Sequence, residues 1–189
     1  MALFIFAAAP SLADDKPDTK NFFTKKVTET WTVYGGYYDA KGEKPTCFAQ
    51  RDWDDGSFFQ IHKDLSDGEI FFFLKNYVWD IGDPKGPDHR YNMKIIYTKR
   101  YKRGTDIVDK GEMAFYLSSK NSIFVPGLSS DRLLTSLLKS DTITLIPEGD
   151  VPNAKIAIGR MAPVLETLSN CISTYKTQHM LDLPNEKKL

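Results

Sequence analysis

At 189 residues and 41% hydrophobic content, the chain can bury one sizeable core and is short for two domains of ordinary size. Its 25 lysines and arginines balance 25 aspartates and glutamates, which excludes the net field that draws a whole protein to nucleic acid or an anionic membrane. Any partner must be held by a local feature.

The chain opens with "ALFIFAAAPSLA", an uncharged apolar run closed by Ser11-Leu12-Ala13, with small residues at the outer positions of an A-x-A-like cleavage site, and turns polar at "DDKPDTK". This reads as a signal peptide over residues 1–13, cut after Ala13, with a flexible leader over 14–25 and a destination in the periplasm or outside the cell. The run has twelve residues where a membrane span needs roughly 20, so no span is expected.

From residue 26 to residue 176 the pattern is that of one β-rich domain. Short runs dense in β-branched and aromatic residues predict strands at 31–38, 46–53, 57–63, 69–76, 91–99, 113–118, 142–146 and 154–158. Between them lie turn-forming clusters such as "DAKGEKP", "DDGS", "GDPKGPDH" and "PEGDVPN". The expected class is mainly β within α+β: an antiparallel sandwich or barrel-like sheet carrying a short helix and a packed C-terminal helix. The short helix is "SSDRLLTSLLKS", with Ser129 or Ser130 as N-cap, Asp131 in the first turn, and Leu133, Leu134, Leu137 and Leu138 on one face. The second is "GRMAPVLETLSNCISTYK", where Met161, Val164, Leu165, Leu168, Cys171, Ile172 and Tyr175 recur at three- and four-residue steps. Residues 177–189 read as a flexible tail.

Thiols that leave the cytosol tend to pair, and two cysteines allow one intramolecular bridge, Cys47 to Cys171. Because Cys171 lies in the apolar stripe, the bridge would dock the last helix beside the strand that holds Cys47. Closing so long a loop is worth about 5 kcal/mol in the chain-entropy account.

"RDWDDGSFFQIHKD" concentrates aspartates around His62, but read as a calcium loop from Asp52 it puts Gly56 and Lys63 where oxygen ligands are required. Asp54, Asp55 and Gly56 fit a tight hairpin turn instead. His62, His89 and His179 belong to no metal-binding or nucleophile motif; a spatial triad of His62 with Asp64 or Asp80 and a serine is the remaining hydrolase arrangement. Among carboxylates only Asp80 and Glu166 have an apolar setting, and Glu166 falls on the polar side of its helix. No catalytic residue, metal or cofactor is therefore expected.

Two stretches are candidate binding surfaces. "WTVYGGYYD" groups Trp31, Tyr34, Tyr37 and Tyr38 around Gly35-Gly36, a combination that can stack on sugar rings or anchor a protein, with a core strand carrying a glycine bulge the favoured reading. "MKIIYTKRYKRG" sets Lys99, Arg100, Lys102 and Arg103 about Tyr101, cations that can hold phosphate or acidic polysaccharide or protect a sheet edge, with edge protection the favoured use.

With "ETWTVY", the cysteine strand "TCFAQ" and the terminal "AKIAIGRMAPVLETLSNC" in view, the chain resembles small bacterial periplasmic proteins of the invasion-associated locus B type over residues 31–171. Typical members carry further mid-domain cysteines, which this chain lacks. The resemblance implies a β-rich periplasmic or surface protein tied to host-cell invasion or envelope function, with no catalytic residues to carry over. The expectation is a non-enzymatic binding protein for an envelope or host protein or a glycan, without nucleic acid; the competing classes are a carbohydrate-binding module and an envelope hydrolase.

Overall fold

Alternation of side chains along extended runs needs two faces, and the computed structural model shows what each face meets. It describes residues 21–37, 45–65, 69–82, 89–128, 130–149 and 151–181. The signal peptide, most of the leader, Tyr38 and the end of the tail lie outside the described residues. The elements are β1 (Phe23–Lys26), β2 (Trp31–Tyr37), β3 (Pro45–Asp52), β4 (Phe58–Asp64), β5 (Ile70–Lys75), β6 (Tyr91–Tyr101), β7 (Gly104–Ser119), β8 (Ser122–Leu128), α1 (Ser130–Lys139), β9 (Thr142–Pro147), β10 (Ala154–Ala157) and α2 (Ala162–Leu181).

All ten strands join one antiparallel sheet in the order β1-β2-β3-β4-β5-β8-β7-β6-β9-β10. The first five form a meander. β6, β7 and β8 form a second one that returns β8 to the side of β5, a Greek-key connection. The β3–β4 turn forms as the sequence requires: Gly56 takes φ +80°, and the Asp55 carboxylate accepts the Ser57 backbone N–H at 2.8 Å.

One face of the sheet holds the core. Trp31 and Val33 of β2, Ala49 of β3, Phe59 and Ile61 of β4 and Phe72 of β5 point inward, at the period of two that strands impose. They meet Ile95, Tyr97, Ile143 and Leu145 from the other half of the strand order, Leu133 and Leu137 of α1, and Val164 and Leu168 of α2, in a single apolar cluster. The Trp31 indole Nε1 donates to the Ile158 carbonyl at 2.9 Å, joining β2 to the residue just after β10. The polar end of a 2% exposed ring is thereby satisfied inside the core.

Several boundaries differ from the sequence expectation. β1 occupies part of the expected leader, because its backbone pairs with β2 from Phe23↔Gly35 to Lys26↔Thr32 although three of its four side chains are exposed. α2 runs on to Leu181, through residues assigned to the tail. β8 was not expected, since Pro126 and Gly127 interrupt its apolar run, and the first half of β7 was hidden by its exposed, polar composition.

Cys47 and Cys171 are bridged, across 124 residues of chain, and both are fully buried. The glycine bulge considered for Gly35-Gly36 is absent: β2 and β3 keep unbroken register from Trp31↔Arg51 to Tyr37↔Pro45. Gly35 is small for another reason. A Cβ there would lie 2.5 Å from the Cys171 Sγ and 2.6 Å from the Phe22 ring. Neither neighbour can retreat, one being bonded to Cys47 and the other packed on Tyr175 at 5.3 Å. Gly35→Ala is expected to cost about 1–3 kcal/mol by overpacking; urea denaturation of the oxidised protein checks this, and an unchanged midpoint would contradict it.

Candidate functional site

Both helices pack on the inner face: α2 through the bridge and its buried apolar side chains, α1 through Leu133 and Leu137. The outer face of β2-β3-β4-β5-β8-β7 is correspondingly unlike an ordinary wet sheet face. Register sets Tyr34 opposite Phe48, Phe48 opposite His62 and His62 opposite Phe71. The rings stack at centroid distances of 5.2, 4.7 and 4.5 Å with interplanar angles of 28°, 22° and 14°. Phe71 then meets Phe124 edge to face at 5.2 Å, and Phe124 meets Tyr116 at 6.4 Å. The Arg90 guanidinium lies 5.8 Å from the Tyr116 ring centre. A row of rings therefore crosses six adjacent strands, with Phe58 stacked on Phe73 beside it at 5.7 Å.

The geometry decides what this face can hold. Phe48 is 5% exposed and yet no part of the core cluster, its ring stacked between those of Tyr34 and His62. Since the faces of Phe48 and His62 are taken by other rings, only ring edges are offered to a ligand, whereas stacking on a sugar needs an open face. Next to the rings runs a polar strip. His62 Nε2 donates to Gln60 Oε1 at 2.7 Å, the Gln60 amide donates to Gln50 Oε1 at 2.5 Å, and the Gln50 amide donates to Asp52 Oδ1 at 2.6 Å. This pattern assigns the proton to Nε2 and leaves Nδ1 as a bare acceptor, enclosed and without a partner. His62 as a residue is half-buried, but that nitrogen is shut off.

The surroundings of His62 oppose a base role. Burial pushes its pKa down to about 3, and its one free lone pair cannot reach a substrate. Its bonded partner is an amide where a triad needs a carboxylate. Asp80 is exposed after Trp79, in the loop beyond β5. Glu166 is exposed on α2, as its place off the apolar stripe requires.

The aromatic stretch at β2 is split by strand alternation. Trp31 is not a surface residue but a core residue, because odd positions of this strand point inward. Tyr34 faces outward into the ring row; Tyr37 is half-buried, meeting Phe22 at 6.2 Å and hydrogen-bonding Tyr175, whose hydroxyl pKa is raised by burial and then by Tyr37. Tyr38 lies outside the described residues. Lys99, Arg100, Lys102 and Arg103 surround the β6–β7 turn at the end of a hairpin, at the opposite end of β7 from Tyr116, the last ring of the row. β6 is flanked on both sides only up to Thr98, so Lys99 and Arg100 lie on a stretch that pairs with β7 alone and leaves an open edge.

One constellation had no signal in the sequence. Asp109 of β7 accepts from Arg132 Nε at 3.0 Å, Arg132 Nη2 at 2.7 Å and Ser136 Oγ at 2.6 Å, fastening α1 to the sheet above the buried Tyr97. The bonds from Arg132 and Ser136 hold the Asp109 carboxyl well below the usual carboxylate range, while burial and then Asp109 push the Tyr97 hydroxyl up. With its oxygens occupied, Asp109 is a clamp and has none to spare for catalysis. Compared with family models, curated proteins and solved structures, the chain matches none of them.

His62 carries a pH signature. An unfolded histidine titrates at 6.5 and the folded one at about 3, so the unfolded state binds the extra proton between those values. Its contribution is complete above pH 6.5 and falls by about 1.4 kcal/mol per pH unit as acid is added within that window. Asp109, with its depressed pKa, loses its own contribution only as pH falls below the ordinary carboxylate range. His62→Phe, which keeps a ring in the row, is expected to flatten the denaturation midpoint between pH 6.5 and 4.5 relative to wild type. Equal slopes in the two proteins would contradict this.

Proposed function

We propose that this chain is an exported, non-enzymatic binding protein of the bacterial envelope, of the invasion-associated locus B kind that its sequence resembles, and that it engages a protein partner through the outer face of the sheet. The observation that carries the reading is the ring row from Tyr34 to Tyr116, half-buried apart from the buried Phe48 and lying on the side of the sheet away from both helices. Apolar ring edges bordered by the side-chain amides of Gln50 and Gln60 offer what a protein surface uses, aromatic anchors with a hydrogen-bonding margin. The buried bridge supports the exported location, because such bonds persist outside the reducing cytosol. Among the described residues no helix is long and apolar enough to cross a membrane. We read the sheet as folding over itself in a sandwich-like form, a reading supported by the Trp31 to Ile158 bond and the single continuous core. The carbohydrate-module reading is the weaker one, because the inner rings of the row have no free face.

The test is retention of envelope and host proteins by the mature chain, run beside Phe73→Ser combined with Phe124→Ser, two half-buried outer-face changes, with thermal melts to establish folding. A partner retained by wild type and weakened at least tenfold by the folded double variant is expected. Turnover of an esterase or glycosidase panel that disappears in His62→Ala would overturn the reading.

A further inference from the structure

β9 pairs with β6 only from Met93 to Thr98, so beyond that point β6 continues with β7 alone and the two strands form a ribbon that ends at the Tyr101↔Gly104 pair. The ribbon's base is braced by Asp141, whose Oδ2 accepts the Arg100 backbone N–H at 2.9 Å. In a chain of zero net charge, Lys99, Arg100, Lys102 and Arg103 gather here against a single carboxylate of the ribbon, Asp106. Among the described residues the one ion pair is Arg132 with Asp109, so none of the four cations is paired with a carboxylate of the described residues. At the tip of the same ribbon Tyr101 is 53% exposed, on the face it shares with Lys99.

A patch that served only solubility, or that gripped a hydrated polyanion, would gain nothing by holding a large aromatic side chain in water. Cations gathered about an exposed amphipathic ring are instead the composition of an interfacial anchor: charge attracts the anionic headgroups, and Tyr enters the boundary between headgroup and acyl chain. We propose that the tip of the β6–β7 ribbon docks this protein on an anionic lipid surface, with Lys99, Arg100, Lys102 and Arg103 at headgroup phosphates and Tyr101 at the acyl boundary. This surface is separate from the ring row, and the proposal stands without a protein partner there.

The experiment is co-sedimentation of the full mature chain with phosphatidylcholine vesicles, with and without phosphatidylglycerol, at low and raised salt. Binding is expected only with phosphatidylglycerol, weakening as salt rises. Lys102→Gln with Arg103→Gln should reduce it roughly 20–30-fold, at about fivefold per cation. Tyr101→Ser should remove the part that survives raised salt; all three changes are at exposed positions, and melts establish that the fold is kept. Equal binding to neutral vesicles, no vesicle binding, or wild-type binding by both variants would overturn the proposal. So would binding of soluble dextran sulfate without binding of vesicles, which assigns the ribbon to polysaccharide.

Discussion

The arrangement of this molecule depends on one covalent contact made in a crowded place, the Cys47–Cys171 bridge laid across Gly35. Every element from β4 to β10, with α1, lies inside the loop it closes. Chain entropy makes such a closure worth about 5 kcal/mol, a large fraction of a typical domain's net stability. Its geometric effect matters more. The bond commits α2 to the inner face over β2 and β3, and Gly35 lets the helix come close enough to make it.

That commitment shapes the other face. An apolar run such as "IFFFLK" in β5 places Phe72 and Leu74 in the core and Phe71 and Phe73 on the outside. The outer rings answer their exposure by stacking on one another, and they enclose His62 as a neutral member of the row. The result is a stiff surface of ring edges, with a strip of amides that all donate in one direction, from His62 toward Asp52. It is suited to holding and poorly suited to proton transfer.

How much of this could be read from the sequence follows from the range of each interaction. Strands whose inner residues alternate with others, helices whose leucines recur at three and four, and the turn at Asp54-Asp55-Gly56 carry their signal locally, while the cysteine pair, 124 residues apart, was legible because two cysteines allow one bridge. β1 was lost because "FTKK" is short and charged, and its identity comes from backbone pairing with β2. The first half of β7 was lost because a ribbon exposed on both sides has no apolar period to display. The ring row was invisible because Tyr34, Phe48, His62, Phe71, Phe124 and Tyr116 are neighbours only through register, a property that no single strand records. For the same reason Trp31 and Tyr34 looked like one surface and lie on opposite faces, and Asp109 gave no hint of Arg132, 23 residues away.

The most direct test of the central constraint is amide hydrogen exchange along α2 in the oxidised and the reduced protein. Val164 and Leu168 are buried ahead of the bridge, while beyond it Ile172 and Tyr175 are only half-buried. If the bridge is what commits the helix, reduction should strip protection from the amides after Cys171 while those around Val164 to Leu168 and in β3 to β5 keep theirs. Unchanged protection from Ile172 onward after reduction would show that packing alone holds the helix, and the account built on the bridge would be wrong.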